Sequence, residues 1–186
     1  METKSAAGTL AVQVIVFVQP PVARENVPLR ETLKAVLAAP VARRVLAISG
    51  AREDWLPAEF KLMGQRGSGY GERLAAALAD AHATVALPML LLRADALDIS
   101  ADMIADAARS LISPEADTAF GPASDGGFWL LGLRRPDRSL VVDVPAPGES
   151  SGITAGRLLL ERLASAGMRV ALAPRLEIAG APALRF

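Results

Sequence analysis

The sequence predicts an α/β protein with a mostly parallel sheet covered by helices on both faces. Three observations predict it. Short apolar runs rich in β-branched residues alternate with segments whose apolar residues recur at helical spacing. The intervals between the runs suit right-handed βαβ crossovers. The 186 residues, 52% hydrophobic and 22% charged, suffice for one packed core and do not have a disordered composition.

The elements follow in order. Residues 1–9 are small and polar and read as a loose tail. Residues 12–18 are β-branched and apolar and read as a buried first strand. A loop at 19–28 holds three prolines. Asn26 before Val27-Pro28 then marks a helix start, with Leu29, Leu33, Val36 and Leu37 on one face and Pro40 as the stop. Residues 44–49 read as a second strand closed by Gly50, and 51–60 as a mixed stretch with a short helix near Trp55. A short strand at 61–63 leads to 64–71, whose four glycines predict an exposed loop, mobile or ligand-facing. An Ala- and Leu-rich helix at 72–82 precedes a third buried strand at 84–92, where Pro88 signals irregularity.

Ser100 caps a helix that runs to about Ile112, with Asp102 in its first turn and Pro114 beyond its end. Strands at 118–122 and 128–133 flank a turn, and Val141-Val142 reads as one more short strand. A loop at 145–152, a helix at 153–166 closed by Gly167, and a last strand at 169–173 complete the chain. No repeat or linker divides it, so residues 1–186 form a single domain.

Composition excludes several functions. Net charge is zero and no basic patch stands out, so no nucleic-acid partner is expected. The absence of cysteine rules out disulfides, thiolate metal sites and a cysteine nucleophile, and agrees with a cytoplasmic location. The longest apolar runs, 10–18 and 85–92, are too short to span a bilayer, and Glu2 and Pro20-Pro21 argue against an export signal.

Ligands of such sheets bind beyond the carboxyl ends of the strands. Two stretches there carry candidate chemistry. Gly121-Pro-Ala-Ser-Asp-Gly-Gly-Phe-Trp-Leu-Leu-Gly-Leu133 places one carboxylate, Asp125, before two glycines that let a ligand approach the main chain. It then becomes a buried strand, with Phe128-Trp129 reading as core. Alone, the Asp-Gly-Gly reads better as a tight turn with no chemistry. Arg93-Ala-Asp-Ala-Leu-Asp-Ile-Ser100 puts Asp95 and Asp98 just after a buried strand. A carboxylate there, opposite Asp125, can hold a divalent metal through oxygen. Asp98 reads better as favouring the following helix, and Asp95 reads equally either way. The glycine-rich 64–73 segment opens a helix whose amides can receive phosphate, although its spacing is neither a P-loop nor a dinucleotide fingerprint. His82, the only histidine, lies near a helix end, and Ser124 lacks the surroundings of a nucleophile elbow.

Together these motifs resemble a bacterial family of GT-A-fold, glycosyltransferase-like proteins related to the guanylyltransferases of molybdenum-cofactor and deazaflavin-cofactor synthesis. The Gly121–Leu133 run matches most specifically, then Gly71-Glu-Arg-Leu74, then 93–100. The resemblance implies a three-layer Rossmann-like GT-A fold binding a nucleotide or nucleotide-sugar with Mg2+ or Mn2+. It implies transfer of a glycosyl or nucleotidyl group. It makes Asp95 the metal ligand, and Asp95 and Asp125 the catalytic carboxylates. Gly126, Gly127 and Phe128 would line the substrate pocket, and Gly71, Glu72 and Arg73 would lie near the nucleotide.

The departures cluster at the chemistry. The family's phosphate loop carries lysines and a glycine; this chain has Gln19-Pro-Pro21-Val-Ala-Arg24-Glu-Asn-Val27-Pro28, keeping Pro21 and offering Arg24 and Arg30 as cationic stand-ins. Leu97 replaces the family proline, Arg93 the glycine and Gly69 an aspartate. In the tail, Ala179 stands where the family has a second candidate metal ligand. Two readings follow: a transferase with an altered nucleotide site, or a catalytically inactive descendant that binds a small molecule or a protein.

Overall fold

The computed structural model describes residues 8–20, 22–149 and 153–180. Pro21, most of the expected tail (1–7) and the end of the 145–152 loop lie outside the described residues.

Seven strands form one sheet: β1 Leu10–Phe17, β2 Val41–Ile48, β3 Lys61–Gly64, β4 Met89–Arg93, β5 Thr118–Pro122, β6 Phe128–Leu133 and β7 Val170–Leu172. Their spatial order is β3-β2-β1-β4-β6-β5-β7. β6 runs antiparallel to both its neighbours, and every other pairing is parallel. The expected mostly parallel α/β sheet is present.

The helices are α1 Val27–Ala38, α2 Tyr70–Thr84, α3 Ala101–Ile112, α4 Arg138–Val141 and α5 Ala155–Ser165. Side-chain alternation along β1 divides the core in two. Val12, Val14, Val16 and Val18 face the layer holding Leu29, Leu33 and Val36 of α1 and Ile104, Ala108 and Leu111 of α3. Ile15 and Phe17 face the layer holding Leu74 and Leu78 of α2, Val141 of α4, and Leu159 and Leu163 of α5. A strand buried on both faces has no polar side, which is why these runs lack alternation in sequence. Four of these five helices start at a side-chain cap: Asn26, Ser100, Asp137 and Thr154 each accept from an amide in the first turn, whereas α2 starts at Gly69 without one.

Three expectations need correction. The 84–92 strand begins only at Met89. Gln13, wholly buried in β1, donates its Nε2 to the carbonyls of Val85 (2.8 Å) and Leu87 (3.3 Å). That bonding holds the preceding residues as an irregular connection, and α2 extends to Thr84. Val141 closes helix α4 and does not start a strand; the Asp137 cap outweighs the β-branched pair. The stretch around Trp55 is a series of turns, not a helix. No helix among the described residues is long and apolar enough to cross a membrane.

Candidate functional site

The topology brings the two singled-out stretches together. β1 and β4 are parallel, with Phe17 opposite Arg93, so both end on the same edge. β6 runs the other way, so its first residue, Phe128, lies at that edge too. The turn between β5 and β6 therefore folds directly against the residues that follow β4. Inside the turn, Asp125 Oδ1 accepts the Gly127 amide at 2.9 Å, and Ala123 N donates to Gly127 O at 3.1 Å. Gly126 adopts φ +81°, open to glycine but strained for other residues. The chain returns along the same edge near its end. Ser124 N donates to Leu176 O, Leu97 N to Glu177 O, and Ala179 N to the backbone oxygen of Asp95 at 2.9 Å.

At the centre lies a residue that the sequence reading treated only as a departure. Arg93, the last residue of β4, is 3% exposed, and it is the only charged residue buried among those described. Its Nε and Nη2 hold both oxygens of Asp95, at 2.9 and 2.7 Å. Its Nη1 holds Asp125 Oδ2 at 2.9 Å and donates more weakly to Phe128 O at 3.4 Å. One guanidinium thus spans the two candidate carboxylates. Burial opposes the charge on Arg93, but the hydrogen bonds and charge of Asp95, with Tyr70 and Asp125 nearby, outweigh it and hold its pKa above the ordinary arginine value. The three groups carry one net negative charge. Tyr70, at the start of α2, packs edge-on against Phe17 at 5.7 Å. Burial raises its pKa, so the phenol stays protonated. Gln19, Asn26, Tyr70, Arg93 and Asp95 line a small cavity of about 50 Å³.

Most of the other predicted residues have structural partners of their own. A Cβ on Gly71 would collide with Val141 O, so this glycine lets α2 pack on the end of α4. Glu72 Oε2 accepts from Ser68 N (2.8 Å) and Ser68 Oγ (2.6 Å), which lowers its pKa and fixes the loop before α2. Arg73 is half-buried, and its side chain has no hydrogen bond or ion pair with another described residue. Gly126 and Gly127 face protein. A Cβ on Gly126 would meet Thr154 Cγ2 at 2.7 Å, and one on Gly127 would meet Arg93 Nη1 at 3.0 Å. Phe128 is not a pocket residue: it is 1% exposed and packs on Phe120 with ring centres 6.3 Å apart. Its alternation places the ring in the core, as the reading of Phe128-Trp129 expected. Arg24 lies away from this cavity, in a second one with Arg30, Lys34 and Trp55.

The α1 start is closed to phosphate by the same local chemistry. Asn26 Oδ1 takes the Leu29 amide at 3.0 Å, Arg30 N bonds Asn26 O, and Pro28 has no amide. Of the first-turn donors, only Val27 N remains.

A family model described as "Uncharacterized protein conserved in bacteria (DUF2064)" matches residues 32–146. The chain belongs to this family. The span matched to DUF2064 contains Arg93, Asp95 and Asp125, whereas the 19–28 loop and Ala179 lie outside it. No curated protein matches the chain. Among solved structures, a Desulfovibrio desulfuricans G20 protein provisionally named a nucleotide-diphospho-sugar transferase is similar, with TM-score 0.73, 19% identity and coverage of 91% of this chain and 82% of that one. The mannosyltransferase PcManGT of Pyrobaculum calidifontis, solved with GDP-Man and Mn2+, gives TM-score 0.54 and 18% identity, covering 91% of this chain and 56% of that one. Glucosyl-3-phosphoglycerate synthase of Mycobacterium tuberculosis, solved with Mn2+, UDP and glucosyl-3-phosphoglycerate, gives 0.57 and 12%, covering 90% and 70%. At these identities the likeness establishes the fold: this DUF2064 chain has the GT-A, Rossmann-like architecture of nucleotide-diphospho-sugar transferases.

Some of these GT-A structures hold Mn2+, so the fit of a divalent cation here is a direct question. Such ions take several carboxylate oxygens free of a competing cation and complete their shell with water and phosphate. In this DUF2064 chain, both Asp95 oxygens bond Arg93, and Asp125 divides its oxygens between Arg93 and Gly127 N. An entering dication would face a fixed positive charge at hydrogen-bond distance. Ala179, beside the Asp95 backbone, supplies no carboxylate. Among the described residues, no three His, Cys, Asp or Glu side chains gather as a ligand set. As arranged, the donor set does not fit a divalent cation.

Proposed function

We propose that this protein is a GT-A-fold module that binds a small molecule or a protein and whose cleft does not use a metal ion, with Arg93 holding the two carboxylates that a metal would otherwise join. The observation that carries this reading is the guanidinium bonded to Asp95 and Asp125 together. Two features support it. The amides at the start of α1 have little to offer a polyphosphate, and the Arg93 guanidinium is already taken by Asp95 and Asp125. A ligand bearing hydroxyl or amine donors suits Asp95, whose side chain is 45% exposed.

The second reading is a nucleotide-dependent glycosyl- or nucleotidyltransferase with an altered phosphate loop. It is favoured by the relatives solved with nucleotide and Mn2+. Thermal unfolding with GTP, CTP, UDP-glucose or GDP-mannose, with and without Mn2+, separates the two. A ligand present at 100 times its Kd stabilises by about 2.7 kcal/mol, which moves the Tm of a chain this size by roughly 5–10 °C. The binding-module reading expects no Mn2+-dependent rise with any of the four. A saturable Mn2+-dependent rise that Asp95→Asn removes would overturn it in favour of the transferase.

A further inference from the structure

A second cavity lies on the outer side of α1 and shares no lining residue with the Arg93 cleft. Helical spacing puts Arg30, Leu33, Lys34 and Leu37 on one face of α1. Arg24 joins them from the loop before the helix, and Trp55 and Pro57 come from the segment after β2. Together they line an open groove of about 380 Å³, within the roughly 300–1,000 Å³ usual for small-molecule sites.

The walls are fixed. Arg52 Nη2 donates to Leu56 O (3.2 Å) and Pro57 O (2.9 Å), and its Nη1 to Phe60 O (3.5 Å). The buried side chains of Leu56 and Phe60 anchor the same segment in the core, and Trp55 packs against that core. This bracing gives the segment a set shape without a helix.

Charge is concentrated on one side of the cavity. Arg24 and Arg30 have no side-chain hydrogen bond or ion pair with another described residue. Lys34 pairs with Glu31 at 2.7 Å, and both are exposed. Such a pair is weak and readily exchanged. No acidic side chain lines the cavity, whose floor is Leu33, Leu37, Pro57 and the indole of Trp55. Elsewhere most arginines are committed: Arg43, Arg44, Arg52, Arg66, Arg93, Arg109, Arg134, Arg157, Arg162 and Arg169 all hold carbonyl or carboxylate oxygens.

We infer that this cavity binds a small amphiphilic anion. A planar apolar group lies on Trp55 and the aliphatic floor, and a phosphate, sulfonate or carboxylate is held by Arg24 and Arg30. Aromatic stacking and charge-assisted hydrogen bonds supply the two halves of recognition. The inference is independent of what occupies the Arg93 cleft.

The probe is 1-anilinonaphthalene-8-sulfonate, titrated into the folded full chain. Saturable binding at one site is expected, with quenching of tryptophan emission. Arg24→Gln with Arg30→Gln should weaken binding about tenfold or more, and Trp55→Leu should weaken it as well. Neutral N-phenyl-1-naphthylamine should bind far more weakly. A nucleoside 5′-monophosphate should displace the probe better than inorganic phosphate. Non-saturable binding, or saturable binding unchanged in both variants, overturns the site. Equal displacement by phosphate alone overturns the apolar half of the proposal. Circular dichroism of each variant confirms that the fold is retained.

Discussion

Arg93 and its two carboxylates do not share burial equally. The side chains of Arg93 and Asp125 are 4% and 13% exposed, whereas that of Asp95 is 45% exposed. Charges out of water are costly when unpaired, and half-exposed ones are screened. Arg93→Ala should therefore cost up to about 3–5 kcal/mol, because it leaves the largely shielded Asp125 carboxylate uncompensated. Asp125→Asn should cost about 1–3 kcal/mol, and Asp95→Asn less than about 1 kcal/mol. Urea denaturation gives the order directly; a larger loss for Asp95→Asn than for Asp125→Asn would contradict the burial argument. Sequence alone made Asp95 and Asp125 visible, because carboxylates after strands are recognisable. Their shared partner was not, because Arg93 and Asp125 stand 32 residues apart and only the pairing of β4 with β6 joins them. One signal was present: an arginine ending an all-apolar strand must find carboxylates, and Asp95 follows it by two.

At the scale of elements, the glycines of the motifs serve as contact points between helices and turns. Gly71 admits the backbone of Val141 and Val142, and Gly156, in the first turn of α5, would bring a Cβ within 2.5 Å of Gly127 O. Gly156 N also donates to Gly126 O at 3.0 Å, so α5 seats on the Asp-Gly-Gly turn. The obstacles are backbone atoms, which cannot rotate aside. Gly71→Ala and Gly156→Ala should each cost about 1–3 kcal/mol through overpacking. Gly64→Ala, where nothing lies within 4 Å of the added Cβ and φ is not positive, should cost much less. Thermal unfolding of the three variants checks this; equal losses would contradict it. Elements were legible where local chemistry was decisive. Strands 118–122 and 128–133 fall within the bounds read from sequence because a turn of small residues separates two apolar runs. Val141 and residues 84–88 were misread because an aspartate cap and the distant amide of Gln13 overrode local composition.

For the whole molecule, sheet order was the least legible feature. The alternation of runs predicts a parallel sheet. It does not reveal that β6 enters antiparallel between β4 and β5, since that placement depends on which edges remain after β1, β2 and β4 have paired. The far edge is held partly by charge. Arg169 clamps Asp117 through Nε (2.9 Å), Nη2 (3.0 Å) and its own amide, joining the start of β5 to the start of β7. These bonds hold Asp117 well below its ordinary 3.8, and bonds from Arg66 and Arg162 lower Asp80 and Asp143. A carboxylate depressed in the folded state stabilises fully above its unfolded pKa and loses that contribution as pH falls through the folded one. Stability should therefore decline as pH drops below about 4 and keep declining at lower pH as Asp117 is finally protonated. Asp117→Asn should lose stability near neutrality and flatten the lowest part of the profile. Urea midpoints from pH 7 down to pH 2 measure it, and an unchanged profile in Asp117→Asn would remove this pair from the account.

Arg93 gives the cleft one property that no bound ion confers. A guanidinium carried on the chain is incorporated at synthesis and cannot dissociate, be chelated or be exchanged for a competing cation. On the reading proposed above, the pairing of Asp95 with Asp125 needs no supply of metal, and the cleft is assembled as soon as the strands that carry it have met.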